Sequence, residues 1–219
     1  MTASLSTSHQ LQRLPIGDSA AAWEAAGFVS QTLPDGLPGV VVGQTALVLA
    51  GGDKRGLHGL GLAGAACPDL DIFDASESRA GRVIDHPNGV GSIDHVVMMT
   101  GDCDATTSLL TACGLVARRV RRFEAGGLSR RQAFFWIGDV ILELVGPDDA
   151  EPEPDPPSLW GLALNCPDLD ATVAELGPER CSEARDAIQP GRRIATMRTR
   201  DLDVSVAIAL MSPHVARST

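Results

Sequence analysis

Two runs, IDHVVMMT (93–100) and LWGLALN (159–165), are largely apolar stretches, and each is followed closely by an aspartate. Side chains leave a strand alternately on opposite sides, so the pattern predicts two strands with one face buried. A helical stretch follows each, DATTSLLTACGL and DLDATVAELG. Asp102 and Asp168 stand where a side chain can accept from the orphan amides of the first turn. After the first helix the chain reads as three strands, LVARRVRRF, RQAFFWIG and DVILELVG, the last two closed into a hairpin by Gly138-Asp139. After the second come GRRIATMRT and DVSVAIALM. The pattern predicts a β-α-β-β-β unit written twice, 66 positions apart, with Gly161 standing where the first copy has His95.

The N-terminal part carries a fainter version. Asp18–Phe28 predicts a short helix with Asp18 as its N-cap, followed by strands at VVVG and TALVLAGG; residues 1–10 are polar and expected to fray. LHGLGLAGAACPDLD parallels LWGLALNCPDLD of the last unit. The same run contains Gly59-Leu60-Gly61 and Gly64 in a GxGxxG spacing, but no helix opens there, so it is not a dinucleotide fingerprint. The expected organisation is a degenerate N-terminal βαβββ-like region at 1–91, a βαβββ module at 92–147, a proline-rich acidic linker at 148–158, and a βαβββ module at 159–213. The linker, PDDAEPEPDPPS with its flanks, is expected to run extended without a fold of its own. The fold class is α+β.

A net charge of −10 argues against non-specific binding to nucleic acid or anionic membrane. No apolar run approaches the length of a membrane span, and the polar start has no secretory core. Five cysteines without a CxxC pair read as reduced thiols of a cytoplasmic protein.

The tandem β-α-β-β-β order, with Asp94-His95 in a first strand and Leu142-Glu143-Leu144 in a last strand, resembles the vicinal oxygen chelate superfamily, which includes glyoxalase I, methylmalonyl-CoA epimerase, extradiol dioxygenases and bleomycin-resistance proteins. The resemblance covers roughly residues 92–213. It implies glyoxalase-like modules packed edge to edge, with curved mixed sheets enclosing a cleft. It also implies a divalent metal (Zn, Ni, Mn or Fe) held by His95 and Glu143, with Glu143 able to act as general base in lyase- or isomerase-type chemistry.

Alternation supports a cleft-facing Glu143 independently, since it shares a face with Ile141 and Val145 while Val140, Leu142 and Leu144 form the apolar set. A carboxylate among aliphatics without a polar cleft would carry a desolvation cost of several kcal/mol. His95, Val97 and Met99 share a face of the first strand, and Gln132, Phe134 and Trp136 a face of the third. Arg119 and Arg121 share a face opposite Arg118 and Arg122, and guanidinium forks suit an anionic ligand. The expected ligand-binding residues are Val97, Met99, Arg119, Arg121, Gln132, Phe134 and Trp136.

The second module lacks the matching ligands, with Gly161 at the histidine position and Ala207 or Ala209 at the glutamate position. Three completions stand open for a metal: His9 or His58 from the N-terminal region, a mostly hydrated ion, or a homodimer in which two first modules face each other. A metal-free drug-sequestering binder and a dimerisation scaffold without catalysis are the other readings.

Overall fold

The computed structural model describes residues 9–213, which form fourteen strands in two mixed sheets with three short helices. Residues 1–8 of the polar start lie outside that range. The first sheet opens with β1 (Leu11–Ile16), α1 (Ala20–Ala25), β2 (Ser30–Thr32), β3 (Pro38–Val42) and β4 (Thr45–Leu49), in spatial order β2-β3-β4-β1. Next to β1 and antiparallel to it lies β5 (Leu60–Leu62), followed by β6 (Ile72–Asp74).

The second sheet holds two complete units. One is β7 (Ser92–Met99), α2 (Cys103–Ala112), β8 (Ala117–Ala125), β9 (Leu128–Ile137) and β10 (Val140–Pro147). The other is β11 (Ser158–Asn165), α3 (Leu169–Arg180), β12 (Arg185–Asp186), β13 (Arg193–Thr196) and β14 (Ala207–Met211). Strand order is β12-β13-β14-β11-β7-β10-β9-β8, so the units join edge to edge through the antiparallel pair β7–β11. The fold is α+β throughout, and β1 with β5 repeats in miniature the joint that β7 makes with β11.

Local chemistry explains most of the element boundaries. Asp102 accepts from the amides of Asp104 and Ala105 at 2.9 Å, and Asp168 from that of Ala171 at 2.9 Å, which caps α2 and α3 as the sequence predicts. Gly138, at φ +78°, closes the two-residue β9–β10 hairpin. α1 is different, because Ser19 is its cap and Asp18 is fully buried. The Asp18 carboxylate accepts from Trp23 Nε1 and from the amide and hydroxyl of Ser205, and so ties the first sheet to the loop before β14.

The apolar faces of both sheets and all three helices share one core, in which Trp23, Leu47, Val96, Phe135, Leu142 and Leu164 are fully enclosed. Each such side chain contributes about 1.5–3 kcal/mol of burial. A separate small cluster, Leu33, Val41, Ala46 and Val48 with Ala80 against it, fills the other face of the first sheet.

Two cysteines depart from the reduced-thiol expectation. Cys67, in the turn after β5, and Cys113, at the C-cap of α2, form a disulfide, with Cα atoms 5.7 Å apart. Sequence spacing does not show that this turn and the end of α2 meet. Cys103, Cys166 and Cys181 are free and buried. The acidic linker has no regular element, yet it is tied down: the Gly101 amide donates to Asp155 O at 3.0 Å and the Glu151 amide to Gly101 O at 3.2 Å.

His86, which its Pro-Asn-Gly setting marks as a surface turn residue, is buried instead. Its Nδ1 accepts from the Val29 amide (3.2 Å), which leaves Nε2 to donate to Val41 O (2.9 Å). Burial lowers its pKa, so the folded chain favours the neutral ring. The unfolded chain therefore takes up the proton first, and stability is lost as pH falls below about 6.5, down to the folded pKa. Thermal melts between pH 8 and pH 5 are expected to show a steeper acid decline for the native chain than for His86→Gln. Parallel declines would remove His86 as the cause.

Candidate functional site

The cleft of the second sheet lies on the face away from the helices. Along β7 the buried Val96 and Met98 point into the core, while His95, Val97 and Met99 are half-buried on the opposite face. β10 runs parallel beside β7, pairing Ile141 with His95 and Glu143 with Val97. β9 continues the rows, with Trp136 opposite Ile141, Phe134 opposite Glu143, and Gln132 opposite Val145. This register brings His95 and Glu143 together, with Nε2 3.2 Å from Oε2.

A cavity of about 470 Å³ opens over this pair. Phe134, Trp136 and Ile141 give it an apolar wall, and Arg118, Arg119 and Arg121 of β8 a basic one. Ile188, Gln189 and Pro190, in the hairpin between β12 and β13, face it from the far end of the sheet. Gln132 touches the site through its amide, which donates to Glu143 Oε1 at 2.5 Å. Val97 and Met99 share the cleft-facing side of β7 but do not line the cavity. Neither do His9 and His58: His9 sits beside Ala63 and Gly114, and His58 beside Gly17 and Pro15.

Three residues of the site escape strict alternation or long-range spacing. The β7–β11 register skips from Ala163–His95 to Leu164–Ile93, so Asp94 is the extra residue of a bulge. It lines the cavity beside His95, and its Oδ2 lies 2.8 Å from His95 Nδ1. The β8–β9 register skips between Ala117 and Arg119, which turns Arg118 onto the cavity wall that alternation alone denies it. Arg192 is buried and reaches Asp94 Oδ1 through Nη2 at 2.8 Å. It also donates to Asn165 Oδ1 and Ser212 O, both at 2.8 Å. The sequence names these residues but carries no signal that brings Arg192 to Asp94 across 98 positions.

The electrostatics divide the two carboxyls. Burial pushes Asp94 up, but hydrogen bonds from His95 and Arg192 outweigh it and hold the group well below the usual carboxylate range. Burial pushes Glu143 up as well, and there His95 and Gln132 do not cancel it. An ionised Asp94 only accepts, so His95 carries its proton on Nδ1 and turns Nε2 toward Glu143. The resulting chain runs Arg192–Asp94–His95–Glu143–Gln132, with each member oriented by the next.

No family model matches the chain, and no curated protein matches it in sequence. Among solved structures, a triple mutant of 4-hydroxymandelate synthase from Streptomyces coelicolor superposes with a TM-score of 0.62. The match covers 96% of this chain and 94% of that one at 14% identity. The chain has the vicinal oxygen chelate fold. Methylmalonyl-CoA epimerase from Mycobacterium tuberculosis matches a shorter part, 58% of this chain and 91% of that one, at 21% identity and a TM-score of 0.45. The Streptomyces coelicolor epimerase in complex with 2-nitronate-propionyl-CoA matches similarly, at 57% of this chain and 99% of that one, 21% identity and a TM-score of 0.45.

Within the vicinal oxygen chelate fold the two units of the second sheet can be read against each other. His95 pairs with Ile141, two residues before Glu143; Gly161 pairs with Ala207, two residues before Ala209. Ala209 therefore stands at the glutamate position, which settles the choice between it and Ala207. In the first sheet the same reading puts Arg13, paired with Ala46, at the histidine position and Val48 at the glutamate position. A catalytic divalent metal normally takes three or more protein ligands. Among the described residues no group of three His, Cys, Asp or Glu side chains is placed to hold one. Asp94 does not add a third, because it is engaged with Nδ1, on the other side of the ring from Glu143. The described residues of one copy do not supply a full metal set.

Proposed function

We propose that the chain binds a small organic anion in the cleft of its second sheet without a resident metal. The observation that carries this reading is the cavity itself, in which a basic wall and an apolar wall meet above the His95–Glu143 pair. A volume of about 470 Å³ lies within the few hundred to about 1,000 Å³ of ordinary small-molecule sites. Phe134, Trp136 and Ile141 supply contact area, and the arginines supply orientation. His95 and Glu143 supply a hydrogen-bonding floor against which a hydroxyl or carbonyl of the ligand can be placed.

The metal-assisted lyase or isomerase reading keeps two routes, a mostly hydrated ion on His95 and Glu143, and a second copy whose own His95 and Glu143 complete the set. Its test is the metal content of untagged protein, native beside His95→Ala, after incubation with nickel, zinc or manganese. The binding reading expects no metal at stoichiometric level in either. Half an equivalent per chain, lost in His95→Ala and accompanied by a dimer in solution, would favour the shared site. A full equivalent per chain of monomer would overturn the metal-free reading.

A further inference from the structure

The β8 wall carries more positive charge than one carboxylate can balance. Arg118, Arg119 and Arg121 all line the cavity, brought onto one wall by the bulge that leaves Arg118 without a cross-strand partner. Among the described residues none of the three forms an ion pair, although their neighbours do: Arg122 and Arg131 share Asp148, and Arg193 holds Asp170. Three guanidiniums held along a short stretch repel one another unless an anion lies among them. The protein's overall charge of −10 makes that local excess a directed feature rather than a general one.

Position decides where the anion lies. Asp94 on β7 and Glu143 on β10 line the cavity with β9 between them and β8, and their carboxyls disfavour a negative group on their side. The negative end of a ligand is thus confined to the arginine wall, and its uncharged end points toward His95 and Glu143. A carboxylate brings one negative charge against three positive ones. A phosphate monoester brings close to two at neutral pH, and three oxygens that accept bidentate forks.

We propose that the cleft recognises an organic phosphate, with the phosphoryl group on Arg118, Arg119 and Arg121 and the organic body against Trp136 and Ile141. This rests on the cleft being a small-molecule site, as argued above. The test uses phenyl phosphate, benzoate and phenol, which share a ring and differ in charge, titrated calorimetrically into the full chain with tryptophan fluorescence as a second readout. Phenyl phosphate is expected to bind at least about ten-fold more tightly than benzoate, since it adds a further charge-assisted contact. Arg118→Ala and Arg119→Ala are each expected to weaken phenyl phosphate about ten-fold and phenol hardly at all. Benzoate binding as tightly as phenyl phosphate, or phenol binding where phenyl phosphate does not, overturns the phosphate assignment and leaves the cleft reading standing. No binding by any of the three, with unchanged fluorescence, overturns both.

Discussion

Replacing Arg192 by methionine is expected to lower stability by about 3–5 kcal/mol, the range seen when one partner of a buried ion pair is removed. Methionine restores much of the volume but none of the donors. Arg192 is 2% exposed and holds Asp94, Asn165 and the carbonyl of Ser212 at once. Without it, Asp94 stays buried and loses one of the groups that keep it ionised. The double variant Arg192→Met with Asp94→Asn should regain part of the loss, because the uncompensated charge is gone. Denaturant titration of the native chain, the single variant and the double variant checks both statements. A loss below about 1 kcal/mol for Arg192→Met would show that the site is not organised around this pair.

Reducing the Cys67–Cys113 bridge is the other large effect. The bridge spans 46 positions of sequence, and a loop of that length corresponds to about 4 kcal/mol of chain entropy removed from the unfolded state. It also joins the turn after β5 to the end of α2, so both sheets lose a covalent tie when it opens. Protein purified without reductant is expected to melt well above the same protein in dithiothreitol. Cys67→Ala and Cys113→Ala should each reproduce the lowered melting temperature and remove its dependence on reductant. Alkylation under denaturing conditions should label three thiols in the oxidised chain and five in the reduced one. Five labelled thiols without reductant would mean that the pair is not bridged in solution.

How much of this was legible in the sequence depends on whether the information is local. The caps at Asp102 and Asp168, the Gly138 turn and the face containing Glu143 all follow from a few neighbouring residues, and each is found as expected. β1 was missed because LQRLPI interleaves arginine and proline with its apolar residues and mimics a loop. Asp18 looked like a cap because capping and burial against Ser205 ask for the same acceptor, and only the partner 187 positions away tells them apart. The disulfide and the contact between Arg192 and Asp94 are likewise products of the tertiary fold. The pairing of His95 with Glu143 lies between these cases. Its residues were readable from the repeat, but their 3.2 Å approach depends on the parallel register of β7 and β10.

The bulge at Asp94 bears on what a motif can mean. In a regular strand two adjacent letters never address the same side, so an Asp-His dipeptide ordinarily points its two groups to opposite faces of the sheet. Here the dipeptide forms a dyad only because β11 presents one residue fewer over the same span. Half of the word's meaning is therefore stored in another strand, some 70 letters downstream, as a shortage rather than a residue. Another chain can spell the same two letters at the same place in its repeat and have no dyad. A search that scores letters and spacings cannot separate the two cases, whereas one that scores the lengths of paired strands can.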